Sequence, residues 1–539
     1  MSIWPTFGAL VLSSKARGYG RNGPTMAERG KEPPMNLFLT APLLLLQAPT
    51  ATPSTTFAVR LDPAIRSDAA SGRLVVLLVR DGSKVGARRE PADGPFFEDP
   101  QPSFGIDARL APGETATIDD AATSFPAKLS LLPPGKYRAQ ARFDLVQADS
   151  AWKREDGNLF SKAVTIEVPT ETPIELVLDQ KVAASPPRAS EGVEWFEVRS
   201  ELLSKFRGRD VMLRAGVALP AKYDPARKYA AIYDVPGFGG NHRGASARSK
   251  KDADDSGPKS VLARETFKIV LDPEGPNGHT LFADSDNNGP CGAALVRELI
   301  PALERKFPLI AEPSARILRG HSSGGWSTLW LALTYPDVFG ATWSSAPDPV
   351  DFRRFQRIDI YAGENFYVQG GAEIASYRSD GAVHMTTRQE NGGEEVSGPD
   401  NTSAQQWDSW FAAFGPRNER GHPAALYDVA TGRIDRAVAA SYRRYDIGAL
   451  LRAEPAKYSA VLRENVRLVC GGEDSFYLNE AVELLKRDLD ATGAAAGAGY
   501  LVIVPGLDHG SIYSSDAMRR QPDEMLAHLR AKGHVATTK

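Results

Sequence analysis

The residues with the clearest chemical potential lie between Arg316 and Trp326. There Gly320-His321-Ser322-Ser323-Gly324-Gly325 joins a β-type run (Ile317-Leu318) to a helix-type run from Trp326 to Thr334. Gly-x-Ser-x-Gly between a strand and a helix is the setting of a nucleophile elbow. A serine on so tight a turn has strained backbone angles, and flanking glycines let the chain pass without Cβ clashes. The serine oxygen then stands beside the positive end of the following helix. Glycine and serine are common enough for the pattern alone to arise by chance, so partner residues must carry the reading.

Serine is a poor nucleophile until a base takes its proton, and the base needs a third group to fix its tautomer. With an elbow of this kind the partners follow in the order serine, acid, histidine. Of eight histidines, His384 and His422 fall in a polar insertion, and His528 and His534 lie on or beyond the last helical run. His509 comes straight off a strand, in Val504-Pro-Gly-Leu-Asp-His509-Gly510, and is the expected base. His321, inside the elbow, is read as a support of the turn. Asp474 follows the strand run Val466–Cys470 through Gly471-Gly472-Glu473 and is the expected acid. Glu473 is its rival, and Asp508 is disfavoured by its adjacency to the histidine.

Acyl transfer also needs donors for a developing oxyanion. The backbone N–H of Ser323 is one candidate. The others lie in Pro236-Gly237-Phe238-Gly239-Gly240, with Phe238 and Gly239 as the expected donors, because glycines let amides approach a substrate. A phosphate-binding loop is the competing reading, but no Gly-Lys-Ser/Thr follows. Asp284-Ser-Asp286-Asn-Asn288-Gly289 matches half of a calcium loop, yet Leu295 stands where the twelfth-position glutamate belongs, so a turn feeding the next helix is expected. Neither a metal nor an organic cofactor is expected.

The elements that must position these residues change character along the chain. Residues 55–180 read as short β runs separated by turns, among them Arg73–Val79 and Lys136–Phe143, as in a small β-sandwich. An accessory packing role is expected for it over a carbohydrate- or partner-binding one. Residues 181–192 have linker composition. From 193 to the end, buried-strand runs (Tyr229–Val235, Phe267–Leu271, Tyr500–Val504) alternate with helical ones (Ala293–Lys306, Glu480–Leu489, Asp516–Ala531), which implies a mainly parallel sheet covered on both faces. Residues 351–460 interrupt the alternation and are read as a cap or lid over the strand ends. They contain a polar tract, Gln389–Asn401, and Trp407, Trp410, Phe411 and Phe414 at helical spacing. Those aromatics are expected to form the cap's own core rather than a substrate patch.

At 539 residues the chain exceeds a single core, and its net charge of -3 offers no electrostatic case for nucleic acid or anionic membrane. Two cysteines, Cys291 and Cys470, exclude a disulfide framework. The apolar run Leu37–Leu46 follows Arg29 and Lys31 and precedes Ala48 and Ala51, the pattern of a signal peptide within an N-terminal extension covering 1–52. Met26 or Met35 would be a more natural start for it than Met1. A periplasmic or secreted protein, without membrane insertion after cleavage, is expected.

Taken together, the region from about 195 to 535 resembles the esterase D family of α/β-hydrolases, which includes enterochelin, feruloyl and acetylxylan esterases, S-formylglutathione hydrolases and mycolyltransferases. The likeness is carried by Gly292–Phe307 with Glu298-Leu-Ile-Pro301, by Gly320–Phe339 with Tyr335-Pro-Asp-Val-Phe339, and by Val504–His509. It implies Ser322 as nucleophile, Asp474 as acid and His509 as base. The sequence departs at Val235-Pro236-Gly237, where many members have His-Gly. The expectation is an α/β-hydrolase fold with a cap insertion, preceded by a small all-β sandwich domain, acting as an exported serine esterase on a small-molecule or carbohydrate-linked ester. An acyltransferase to a sugar and a non-catalytic cell-envelope binding protein are the alternatives.

Overall fold

The computed structural model describes residues 55–249, 251 and 254–536. The expected signal peptide and extension therefore lie outside the described residues. Runs such as Ala-Ala-Ile-Tyr-Asp-Val are apolar on both sides of the pleat, which suits strands covered on two faces. They assemble an eight-stranded sheet in the order Val193–Arg199, Met212–Ala218, Thr266–Leu271, Ala230–Val235, Arg316–His321, Ala341–Ser345, Val466–Gly471, Tyr500–Val504. The first two strands pair antiparallel, and every pair from Thr266–Leu271 onward is parallel.

Alternate residues of each strand feed different cores. Ala230, Ile232, Ile317, Ala341 and Trp343 pack against Met525, Leu526 and Leu529 of the helix Gln521–Ala531. Tyr233, Leu318 and Leu468 face the opposite side, with Trp326 and Leu329 of the helix Ser323–Thr334. The insertion shares that second core: Phe352, Phe355, Trp407, Trp410, Phe411, Phe414 and Tyr442 are all almost fully buried within it. Trp407, Trp410, Phe411 and Phe414 lie on the helix Gln406–Phe414. Opening a segment held this way would expose much of one continuous core, so the insertion is a built wall of the domain. Its polar tract forms the helix Thr387–Ser397, started by a Thr386–Gln389 capping box.

Residues 57–181 are all-β, with their nine strands joined in one hydrogen-bonded sheet. Phe57, Val59, Leu61, Leu74, Val76, Leu78, Leu176 and Leu178 are buried in a cluster supplied by residues 57–178 alone, so the sheet folds over on itself. The strand Ala70–Arg80 is apolar without alternation for a clear reason. Its other face, Val75 and Leu77, is covered by Trp152, Phe125 and Val396 of the insertion. Arg73 fixes this contact by donating to the carbonyls of Val396 at 2.9 Å and Glu395 at 3.2 Å. The β domain is thus docked on the insertion rather than tethered loosely. Among the described residues no helix is long and apolar enough to cross a membrane.

Candidate active site

Parallel pairing brings the carboxyl ends of Ala230–Val235, Arg316–His321, Ala341–Ser345, Val466–Gly471 and Tyr500–Val504 to one edge of the sheet. Val235 pairs with Gly320, His321 with Ser345 and Gly471 with Val504. Every residue expected to act follows one of these ends, which is where open α/β sheets place their sites.

Ser322 has φ 59° and ψ −127°, a strained conformation for a residue with a side chain. The strain is held by its N–H donating to the Ser345 carbonyl at 3.0 Å, and by its own carbonyl accepting from Trp326 at 3.0 Å. The glycines around it are needed for approach. A Cβ on Gly320 would lie 2.1 Å from the Gly324 carbonyl oxygen, and one on Gly324 would lie 2.0 Å from that of Val235. Strand, elbow and helix cross too closely for any side chain there.

Asp474 is fully buried. Its Oδ2 lies 2.8 Å from His509 Nδ1, and its Oδ1 accepts from the Phe476 N–H at 2.9 Å. A carboxylate oxygen accepts, so Nδ1–H donates and Nε2 is left to take a proton. Burial alone would lower the basicity of His509, but the charge and hydrogen bond of Asp474, joined by Asp348 and Asp508, raise it above the ordinary histidine value. The rival acids are occupied elsewhere: Glu473 is exposed and pairs with Arg378 at 3.1 Å, while Asp508 accepts the N–H groups of Gly510 and Ser511. His321 packs its ring 4.5 Å from that of His509 and bonds Ser345 Oγ at 3.1 Å. Burial and the His509 charge push it well below the usual range, so it stays neutral, a wall rather than a base. Among the described residues no hydrogen bond joins Ser322 Oγ to His509. Bonds of this kind often tighten only around substrate.

The loop Pro236–Gly240 runs beside the elbow: a Cβ on Gly237 would lie 3.2 Å from Ser322 Cβ. Ser323 opens the helix, so its N–H has no intrahelical acceptor. The Ser323 N–H thus borders the serine, and the close approach of Gly237 brings the loop that carries Phe238 and Gly239, the other expected oxyanion donors, beside it.

One functional group escaped the sequence reading. Asp348, three residues past the strand Ala341–Ser345, is buried and accepts from Ser323 Oγ at 2.7 Å and Trp410 Nε1 at 2.8 Å. Burial pushes its carboxyl up to about 6, against the pull of those two hydrogen bonds and of His509. Its charge in turn raises His509. Asp348→Asn keeps an acceptor for Ser323 and Trp410 but removes that charge. The acidic limb of the pH–kcat/KM profile is therefore expected to move to lower pH, since the base stays neutral further down. A profile measured from pH 4.5 to 8 that does not move would rule the coupling out.

An aromatic wall flanks the histidine. Phe476 meets His509 edge-on at 5.0 Å and lies tilted 5.2 Å from Tyr377, and Phe97 of the β domain lies 5.6 Å from Tyr377. The half-calcium-loop motif resolves into the hairpin of strands Asp284–Ser285 and Gly289–Pro290, leading into the helix Cys291–Ala294. Its side chains diverge: Asp284 accepts from the Ala293 N–H, Asp286 pairs with Arg444 and Asn287 donates to the Gly415 carbonyl. Among the described residues no cluster of three or more histidine, cysteine or acidic side chains could hold a metal ion. Cys291 and Cys470 are both buried and free.

Residues 210–414 match the family model Esterase, described as "Putative esterase". No curated protein matches the chain in sequence. Among solved structures, an S-formylglutathione hydrolase from Agrobacterium tumefaciens is 14% identical, over 63% of this chain and 96% of its own, with TM-score 0.35. A ferulic acid esterase from Anaeromyces mucronatus is 15% identical, over 61% and 92%, with TM-score 0.27. Dipeptidyl peptidase 4 of Porphyromonas gingivalis is 12% identical, over 79% and 46%, with TM-score 0.35.

Proposed function

We propose that this chain, whose residues 210–414 match the Esterase family model, is a carboxylic ester hydrolase of the esterase D-like type that works through an acyl-enzyme on Ser322. The observation that carries the proposal is the buried Asp474–His509 bond of 2.8 Å, set at the same sheet edge as a serine held at φ 59°. In the first half-reaction Ser322 Oγ attacks the ester carbonyl while His509 Nε2 takes its proton, and Asp474 steadies the imidazolium that forms. The Ser323, Phe238 and Gly239 N–H groups receive the oxyanion. His509 then returns the proton to the departing alkoxide. In the second half-reaction it activates water, which attacks the acyl carbonyl and frees Ser322. The substrate is proposed to be a small-molecule or carbohydrate-linked ester, bound against Phe476 and Tyr377. Export from the cytoplasm to the periplasm or medium rests on the basic, apolar and small residues between Arg29 and Ala51. N-terminal sequencing of the chain recovered from each compartment decides it.

Labelling with a fluorophosphonate, followed by peptide mapping, tests the core of the proposal. Modification confined to Ser322, and lost in His509→Ala, is the expected result. Folded protein that stays unlabelled would refute it.

A further inference from the structure

The carbonyls of the loop Pro236–Gly240 are tied from three directions. Leu281 N–H donates to His279 Nδ1 at 3.1 Å, which leaves Nε2–H to donate to the Pro236 carbonyl at 3.0 Å. Burial lowers His279 to about 4, so it holds that neutral tautomer at physiological pH. Gly240 N–H donates to the Gly237 carbonyl at 3.0 Å, closing a turn. The Gly239 carbonyl accepts from Arg154 Nη1 at 2.6 Å. Arg154 is not part of the hydrolase domain. It sits in the β domain on the short helix Trp152–Arg154, and its guanidinium is gripped by Asp149, at 2.8 Å from Nε and again through Nη2, with Glu274 at 3.7 Å. A guanidinium held through both Nε and Nη2 by one carboxylate, Asp149, has little freedom to shift, so the peptide it holds is equally fixed. Holding the Gly239 carbonyl fixes the plane of the 239–240 peptide, whose Gly240 N–H closes the turn onto Gly237, and so braces the loop that carries the Phe238 and Gly239 N–H groups next to Gly237 and Ser322.

We propose that Arg154 is a positioning residue for the oxyanion-binding loop, so that the β domain is a working part of the active site. This rests on the esterase reading above. Oxyanion donors act only when fixed before the charge develops, and losing one costs about 10²–10³ in rate.

The experiment compares full-length Arg154→Gln, Arg154→Lys and Arg73→Gln with the unaltered chain, using p-nitrophenyl acetate hydrolysis, the fluorophosphonate labelling rate and thermal melting. Arg73 ties the same two domains together but at the insertion helix, far in sequence from the loop. Arg154→Gln is expected to lower kcat and the labelling rate by roughly 10- to 100-fold while KM changes little. Arg154→Lys, which can still donate to Gly239, recovers part of that loss. Arg73→Gln melts earlier yet keeps the original kcat. Unaltered kcat in an Arg154→Gln chain that labels at Ser322 overturns the role of Arg154 alone. An equal loss of kcat in Arg73→Gln also overturns it, in favour of domain docking. Failure of the unaltered chain to label overturns the esterase reading and this inference with it.

Discussion

Ser322→Ala is expected to lower kcat/KM for ester hydrolysis by roughly 10⁴- to 10⁶-fold, about 5–8 kcal/mol of transition-state stabilisation, without loss of fold. In the proposed mechanism the chemistry has no other route: the bond to Asp474 leaves His509 Nε2 to accept the proton of the attacking oxygen, and His321 beside it is held neutral by burial. What survives is stabilisation by the N–H groups of Ser323, Phe238 and Gly239, which still exceeds the reaction in water. The fold has reason to persist, because the 3.0 Å bonds that hold Ser322 are made by its backbone. Ser322→Gly sharpens the test. The strained φ of 59° costs about 1–3 kcal/mol with a side chain present, and glycine relieves most of it. Glycine's freer unfolded chain gives back only about 0.4–1 kcal/mol. The glycine variant is therefore expected to be as inactive as alanine yet to melt higher. That combination identifies strain stored for function. Ester turnover by either variant, after exclusion of contaminating esterase, would remove Ser322 from the mechanism.

The features legible in the sequence were those enforced locally. Gly320, Gly324 and Gly325 stand where strand, elbow and helix approach within Cβ distance, so their identity reports a close approach of backbone to backbone. Asp474 and His509 were visible because each follows an apolar run that had to be a strand, and in a parallel sheet successive strands end on the same edge. The order of the strands follows from pairing and was not written in any one run. Asp348 obeyed the logic that exposed Asp474, since it closely follows the strand Ala341–Ser345. It carries no such signal because it sits against the start of the insertion, in Ala346-Pro-Asp348-Pro, a stretch that composition marks only as a turn.

Long-range contacts were beyond the reach of pattern. Gln389–Asn401 is polar in composition, yet Glu394 is buried because its carboxylate accepts the N–H groups of Trp407 and Asp408 at the start of the next insertion helix. Arg73 and Arg154 looked like ordinary surface residues of a β module. Their partners, Val396 and Gly239, are 323 and 85 residues away. The β domain therefore read as an appendage, whereas the contacts of Arg73, Arg154 and Phe97 make it the bracket that holds the insertion and one wall of the cleft.

Asp474→Asn is expected to cost roughly 10³- to 10⁴-fold in kcat and to move the acidic limb of the rate profile to lower pH. Two effects combine. An asparagine amide in the place of Oδ2 would donate toward Nδ1, so the imidazole carries its proton on Nε2, the atom that must accept from Ser322. This wrong tautomer accounts for most of the loss. The second effect is electrostatic. His509 is buried, which by itself lowers its basicity, and the charge of Asp474 is the first influence reversing that. Without it the imidazole is neutral at lower pH than before but is a weaker base, so the limb shifts down while the plateau falls. Asp348 remains to hold part of the raised basicity, which is why Asp474→Asn with Asp348→Asn is expected to shift the limb further than either alone. Asp348→Asn alone should leave the plateau much nearer its original height, because the bond to Nδ1 survives. If the single variants exchanged these behaviours, with the plateau collapsing on loss of Asp348 and holding on loss of Asp474, the acid of the triad would be the residue after Ala341–Ser345 and the assignment to Asp474 would fail.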